Sequence, residues 1–133
     1  MGTAVSCMSI ENYQVLVRTG AHAWVADEPK ALEGDGLGPN PFDLLLASLG
    51  TCTVVTVVHY AGQAKIPLVR LWAELEGQEE KESEKKYRIA IRLRARGELE
   101  QADLERLKRA AGRCHVHTLL APGVDIQIDI EKV

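Results

Sequence analysis

Between Leu44 and Ala64 the chain carries no charged residue for twenty-one positions, and no other feature restricts its fold as sharply. About twenty mostly apolar residues are enough to cross a bilayer, so a membrane span must be weighed against a buried helix. Ser48, Gly50, Thr51, Thr53, Thr56, His59, Gly62 and Gln63 interrupt the run. These interruptions favour a helix at the centre of a core or of a subunit interface, with no membrane. Asn40 and Pro41 open it as N-cap and first helical residue. Val54, Val55, Val57 and Val58 pull the other way, toward strand.

Elsewhere the apolar residues alternate. Tyr13, Val15 and Val17 share a strand face, followed by a turn at Thr19-Gly20 and a run through Trp24 and Val25. Leu71, Ala73 and Leu75 form a second set, and Tyr87, Ile89, Ile91 and Leu93 a third. Val124, Ile126, Ile128 and Ile130 point one way in the last strand, with Asp125, Gln127 and Asp129 opposite. Arg88, Arg92, Arg94 and Arg96 make a basic row beside Glu74 and Glu76. Cross-strand charge pairing explains that row more simply than phosphate binding. A second helix is expected from about Glu100 to Arg113, with Leu104, Leu107, Ala111 and Cys114 on one face. No repeat or linker divides these 133 residues, so a single domain spanning 1–133 is expected.

Sixteen basic residues against nineteen acidic ones leave a net charge of −3, the wrong sign for a nucleic-acid binder. Three separated cysteines, Cys7, Cys52 and Cys114, do not make a disulfide framework. With no signal-peptide pattern at the start, the expected location is the cytoplasm.

Cys52 and Cys114 are both expected at core-facing helical positions. Each could be a small buried hydrophobe, or the two could meet as a reactive pair. A free thiol with a pKa near 8.5 is only about 3% thiolate at pH 7, so a nucleophile needs a cation or hydrogen-bond donors beside it. His59 lies two turns from Cys52, about 10 Å away. Asp43 is half a turn round and about 13.5 Å along the same helix. It can serve Cys52 only across a subunit interface or after a sharp break near Gly50, and as the third helical residue it also suits the helix dipole. Cys114-His115-Val116-His117 raises a metal site with Cys52 or His59, but lacks paired ligand spacing, so no metal and no cofactor is expected. The segment GDGLGP before the helix reads as a flexible loop.

The stretch GPNPFDLLLASLGTC (Gly38 to Cys52), the charge-free helix, RCHVHTLL and the terminal GVDIQIDI resemble the OsmC/Ohr family of organic-hydroperoxide reductases and osmotically inducible relatives. The likeness runs from the first hairpin to the last strand. It implies an intertwined homodimer of α+β subunits with the OsmC-like fold, in which two central cysteine-bearing helices are wrapped by antiparallel β-sheets. It also implies that Cys52 attacks the peroxide and Cys114 resolves the product as a disulfide, which an external dithiol reductant reopens. The family's acidic partner falls on Asp43, where the reductases carry glutamate, and their CPVH is CHVH here. No arginine lies between Trp24 and Asp43, where OsmC-type members carry one; Arg18, at the first hairpin, is the best substitute, ahead of Arg113. The alternatives are a small apolar ligand in the dimer cleft with little turnover, or a metal module using Cys52, Cys114 and His117.

Overall fold

The longest alternation in the sequence becomes the middle strand of a sheet, and the core is built on its inner face. The computed structural model describes residues 2–133. Their elements run β1 (Ser6–Ser9), β2 (Val15–Thr19), β3 (His22–Ala26), α1 (Pro41–Gln63), β4 (Leu68–Glu79), β5 (Tyr87–Gly97), α2 (Gln101–Ala111), α3 (His115–Leu120) and β6 (Asp125–Lys132). The chain divides into two units, Met1–Leu45 and Leu46–Val133, which are described separately.

In the first unit β1, β2 and β3 form an antiparallel sheet in that order. The β2–β3 hairpin turns at Gly20, where φ is +54°. Tyr13 precedes the strand it was expected to join, and β1 was not foreseen. The loop before α1 is tied down rather than free. Buried Asp27 accepts from the Glu28 N–H at 2.7 Å and the Leu37 N–H at 3.1 Å, and Asn12 donates to the Glu33 carbonyl at 2.9 Å. Gly38 is required there because a Cβ would collide with the Val25 carbonyl. Asn40 and Asp43 then close a reciprocal cap: Asp43 N–H to Asn40 Oδ1 at 2.8 Å, and Asn40 N–H to Asp43 Oδ2 at 3.0 Å.

In the second unit β4, β5 and β6 form the other sheet, with β5 central. Ile89, Ile91, Leu93 and Ala95 of β5 are at most 1% exposed and pack with Leu49, Val57, Leu104 and Leu107. The expectation of wholly antiparallel sheets fails at one pairing, because β6 runs parallel to β5. The chain crosses over through α2 and α3 between them, and such a return delivers the strand in the same direction. On the polar face Arg94 meets Glu74 at 3.0 Å and Arg92 meets Glu76 at 3.2 Å, while Arg88 lies between Glu80 and Asp125. The basic row is a charge ladder at Arg88, Arg92 and Arg94, whereas Arg96 lies over the Trp72 ring at 5.0 Å. The helix expected at the centre of a core or of a subunit interface, α1, is helical throughout, valines included, and runs unbroken through Gly50. It has the length and composition of a membrane-crossing helix. It buries Leu49, Gly50, Thr53, Val57 and Ala61, yet leaves Val55 62% and Val58 50% exposed.

The second helix is shorter than its pattern. It stops at Ala111, the chain turns at Gly112 and Arg113, and Cys114 becomes the extended N-cap residue of α3. Cys114 is therefore in no helix, although it is fully buried as expected.

Since β5 carries the core, Ile91→Ala should lower unfolding free energy by about 3 kcal/mol. Val69→Ala, at a residue 72% exposed, should change it by less than about 0.5 kcal/mol. Urea unfolding at one fixed protein concentration checks both; equal effects would contradict this placement of the core.

Candidate active site

Cys52 lies on α1, half-buried at the edge of its inward face, and Cys114 sits 0% exposed at the start of α3. All three cysteines are free. Cys52 and Cys114 act on each other's titration, Cys114 as donor and Cys52 as acceptor, so the structure brings these two together. Three further donors converge on Cys52: the backbone N–H groups of Val116 and His115 and the hydroxyl of Thr56. Cys114 accepts from the His117 N–H at 3.2 Å, and the Thr53 hydroxyl lies 3.8 Å from its sulfur.

These contacts separate the two thiols. Burial pushes the Cys52 thiol up, but the donors from Val116, Cys114, His115 and Thr56 outweigh burial and hold it below the ordinary thiol value. Burial pushes Cys114 up; the His117 N–H and the nearby Thr53 hydroxyl oppose this, and the interaction with Cys52 and its charge add to it. The arrangement thus favours one thiolate, on Cys52, with a neutral thiol donating to it. A lowered pKa enriches the reactive form at neutral pH, which is the chemical requirement for a sulfur nucleophile.

The donors that act on Cys52 are two backbone amides, one hydroxyl and the Cys114 thiol, all from the second unit. Arg113 lies over the Tyr60 ring at 5.4 Å, and Arg106 Nε reaches the Tyr60 hydroxyl at 3.3 Å. Arg18 is an exposed residue of β2. Asp43 caps α1 through one carboxylate oxygen. Both belong to the first unit, whereas Cys52 and Cys114 belong to the second. Thr53 and Thr56 were noticed only as interruptions of an apolar run. Their spacing was the available signal: Thr56 is one helical turn beyond Cys52 and Thr53 is its neighbour. Burial lowers the pKa of His117, whose Nδ1 has no hydrogen-bond partner among the described residues. Among the described residues no three His, Cys, Asp or Glu side chains are grouped to hold a metal ion.

A separate cleft of about 480 Å³ opens between α1 and β4. Its lining is apolar, with Leu46, Gly50, Val54 and Val55 facing Ala73 and Leu75.

Comparison with known proteins gives the fold and the family. No curated protein sequence matches the chain. Solved structures do. An OsmC-like protein from Mycoplasma pneumoniae superposes with a TM-score of 0.85 at 16% identity, covering 100% of this chain and 98% of that one. An organic hydroperoxide resistance protein OsmC from Legionella pneumophila gives 0.75 at 23% identity, covering 98% and 97%. An organic hydroperoxide resistance protein from Elizabethkingia anophelis gives 0.78 at 14%, covering 100% and 97%. At such identities the likeness establishes the α+β fold, with its two sheets and helices. The family itself is given by a sequence match over residues 34–129: the chain belongs to the OsmC-like proteins.

Proposed function

We propose that the protein is a cytoplasmic thiol peroxidase that reduces organic hydroperoxides to alcohols through Cys52 and Cys114. The observation that carries this reading is the asymmetric pair, in which the more exposed Cys52 is held toward the thiolate by donors and the buried Cys114 remains a thiol beside it. Family membership and neighbours named for organic hydroperoxide resistance agree with it. The Cys52 thiolate attacks the terminal peroxide oxygen; an S–O bond forms as the O–O bond breaks. Sulfur is oxidised to a sulfenic acid, and the departing alkoxide takes a proton and leaves as alcohol. The Cys114 sulfur then attacks the Cys52 sulfur, and hydroxide departs with the Cys114 proton as water. An external dithiol reduces the disulfide and is itself oxidised.

In this reading the protein is a homodimer, with the exposed apolar face of α1 at Val55 and Val58 covered by a second copy. Because α1 continues unbroken through Gly50, Asp43 cannot fold back on the Cys52 of its own helix. Arg18 and Asp43 are assigned to the active site across the subunit boundary. The apolar cleft between α1 and β4 supports a second reading, in which a small apolar ligand is held with little turnover.

One equivalent of cumene hydroperoxide should remove two hydrogens from the intact protein, mapped to a Cys52–Cys114 disulfide, faster than hydrogen peroxide does. Free thiols after that treatment would favour the ligand-binding reading. Cys52→Ser should abolish the reaction, whereas Cys114→Ser should let Cys52 gain two oxygens as sulfinic acid; parent-like behaviour of either would remove its assigned role.

A depressed Cys52 pKa also has a readable sign. In a Cys7→Ser background, the iodoacetamide rate should rise and level off at lower pH than for a free thiol. Thr56→Val and Arg18→Ala should each move that rise to higher pH and slow alkylation at pH 6 several-fold. An unmoved profile would remove the residue concerned from the site.

A further inference from the structure

Thr53 is a fully buried polar side chain at 0% exposure, on a helical face otherwise given to Leu49, Val57 and Ala61. Valine would fill the same volume without a polar atom, so the hydroxyl calls for a physical reason. It donates to the Leu49 carbonyl at 2.8 Å and stands 3.8 Å from the Cys114 sulfur. The Leu49 carbonyl lies one helical turn back, where the Thr53 backbone N–H also points. That carbonyl therefore keeps a partner if the hydroxyl turns away, and the hydroxyl's bond to it is dispensable to the helix.

Cys114 has the opposite problem. Its sulfur is shut off from water, and its strong acceptor contact is the His117 N–H at 3.2 Å. To attack an oxidised Cys52 it must give up the proton it now shares with that residue and bear negative charge in a buried place. Such a charge needs an additional donor within reach.

We propose that Thr53 is a positioning residue for Cys114, its hydroxyl turning from the Leu49 carbonyl to the Cys114 sulfur as that sulfur becomes the attacking thiolate. The proposal rests on the reading of Cys52 and Cys114 as a reacting pair. It concerns the second step alone. The groups that lower Cys52 for the first step are Val116, Cys114, His115 and Thr56, and Thr53 is not among them.

A dipyridyl disulfide tests it without any hydroperoxide, in a Cys7→Ser background. Cys52 attacks the reagent, forms a mixed disulfide and releases one thiopyridone. Cys114 then attacks that mixed disulfide, forms the Cys52–Cys114 bond and releases a second, the thiol proton going to the pyridine nitrogen. Thr53→Val should leave the first phase unchanged and slow the second about tenfold, the worth of one hydrogen bond to a developing charge. The second phase should also rise at higher pH in this variant, and Thr53→Ser should restore the parent rate and profile. A parent-like second phase in Thr53→Val would overturn the proposal. So would a Thr53→Ser variant as slow as Thr53→Val, since that result assigns Thr53 to packing. Absence of the first phase in the parent would instead overturn the reactive Cys52 on which the proposal rests.

Discussion

Two sulfur atoms in hydrogen-bond contact, in a place largely closed to water, cannot both be charged. The rest of the arrangement follows from how that conflict is resolved. Cys52 receives the hydrogen bonds that favour an anion, including one from Cys114 itself. Cys114 is driven toward the neutral form by burial and by its neighbour. Titration of such a pair belongs to both groups together, and removing either sulfur changes the other. An inert buried cysteine needs no such set of donors.

The fold supplies this asymmetry through a break in regular structure. Had α2 run on through Cys114, that sulfur would sit on a helical face with the leucines, and the amides beyond it would be paired within the helix. The chain instead turns at Gly112 and Arg113 and restarts at His115. The first amides of α3 are then unpaired and available to the two sulfurs, which is why the N–H groups of His115, Val116 and His117 all point to them. The crossover containing this break also forces β6 to run parallel to β5. One excursion of the chain thus closes the core sheet and delivers the donors. On the other side, α1 presents Cys52 with Thr53 and Thr56 on adjoining positions of a single rigid helix.

Much of this was legible in the sequence because it follows from periodicity. The strands around Ile89, Leu71 and Ile128 and the cap at Asn40 appear where alternation and capping chemistry put them. The burial of Cys114 was anticipated for the wrong reason: the helical spacing from Leu104 predicted the inward direction, while Gly112 ended the helix earlier. The part of thiol activation that comes from backbone amides was not legible, because the N–H groups of His115 and Val116 have no letter in the sequence, whereas charged side chains such as Arg18 and Arg113 do. The parallel pairing of β6 escaped for a similar reason, because alternation specifies which face is buried and not which neighbour a strand chooses.

The claim at the centre of this account is that Cys52, and not Cys114, gives up the first proton of the pair. Ultraviolet thiolate absorbance, followed against pH in Cys7→Ser proteins that retain both or only one of the pair, measures it directly. The account predicts a first transition below the ordinary thiol range that disappears in Cys52→Ser. It also predicts that this transition persists in Cys114→Ala at higher pH, because the donor from Cys114 is gone. A first transition that survives Cys52→Ser and vanishes in Cys114→Ala would contradict the account.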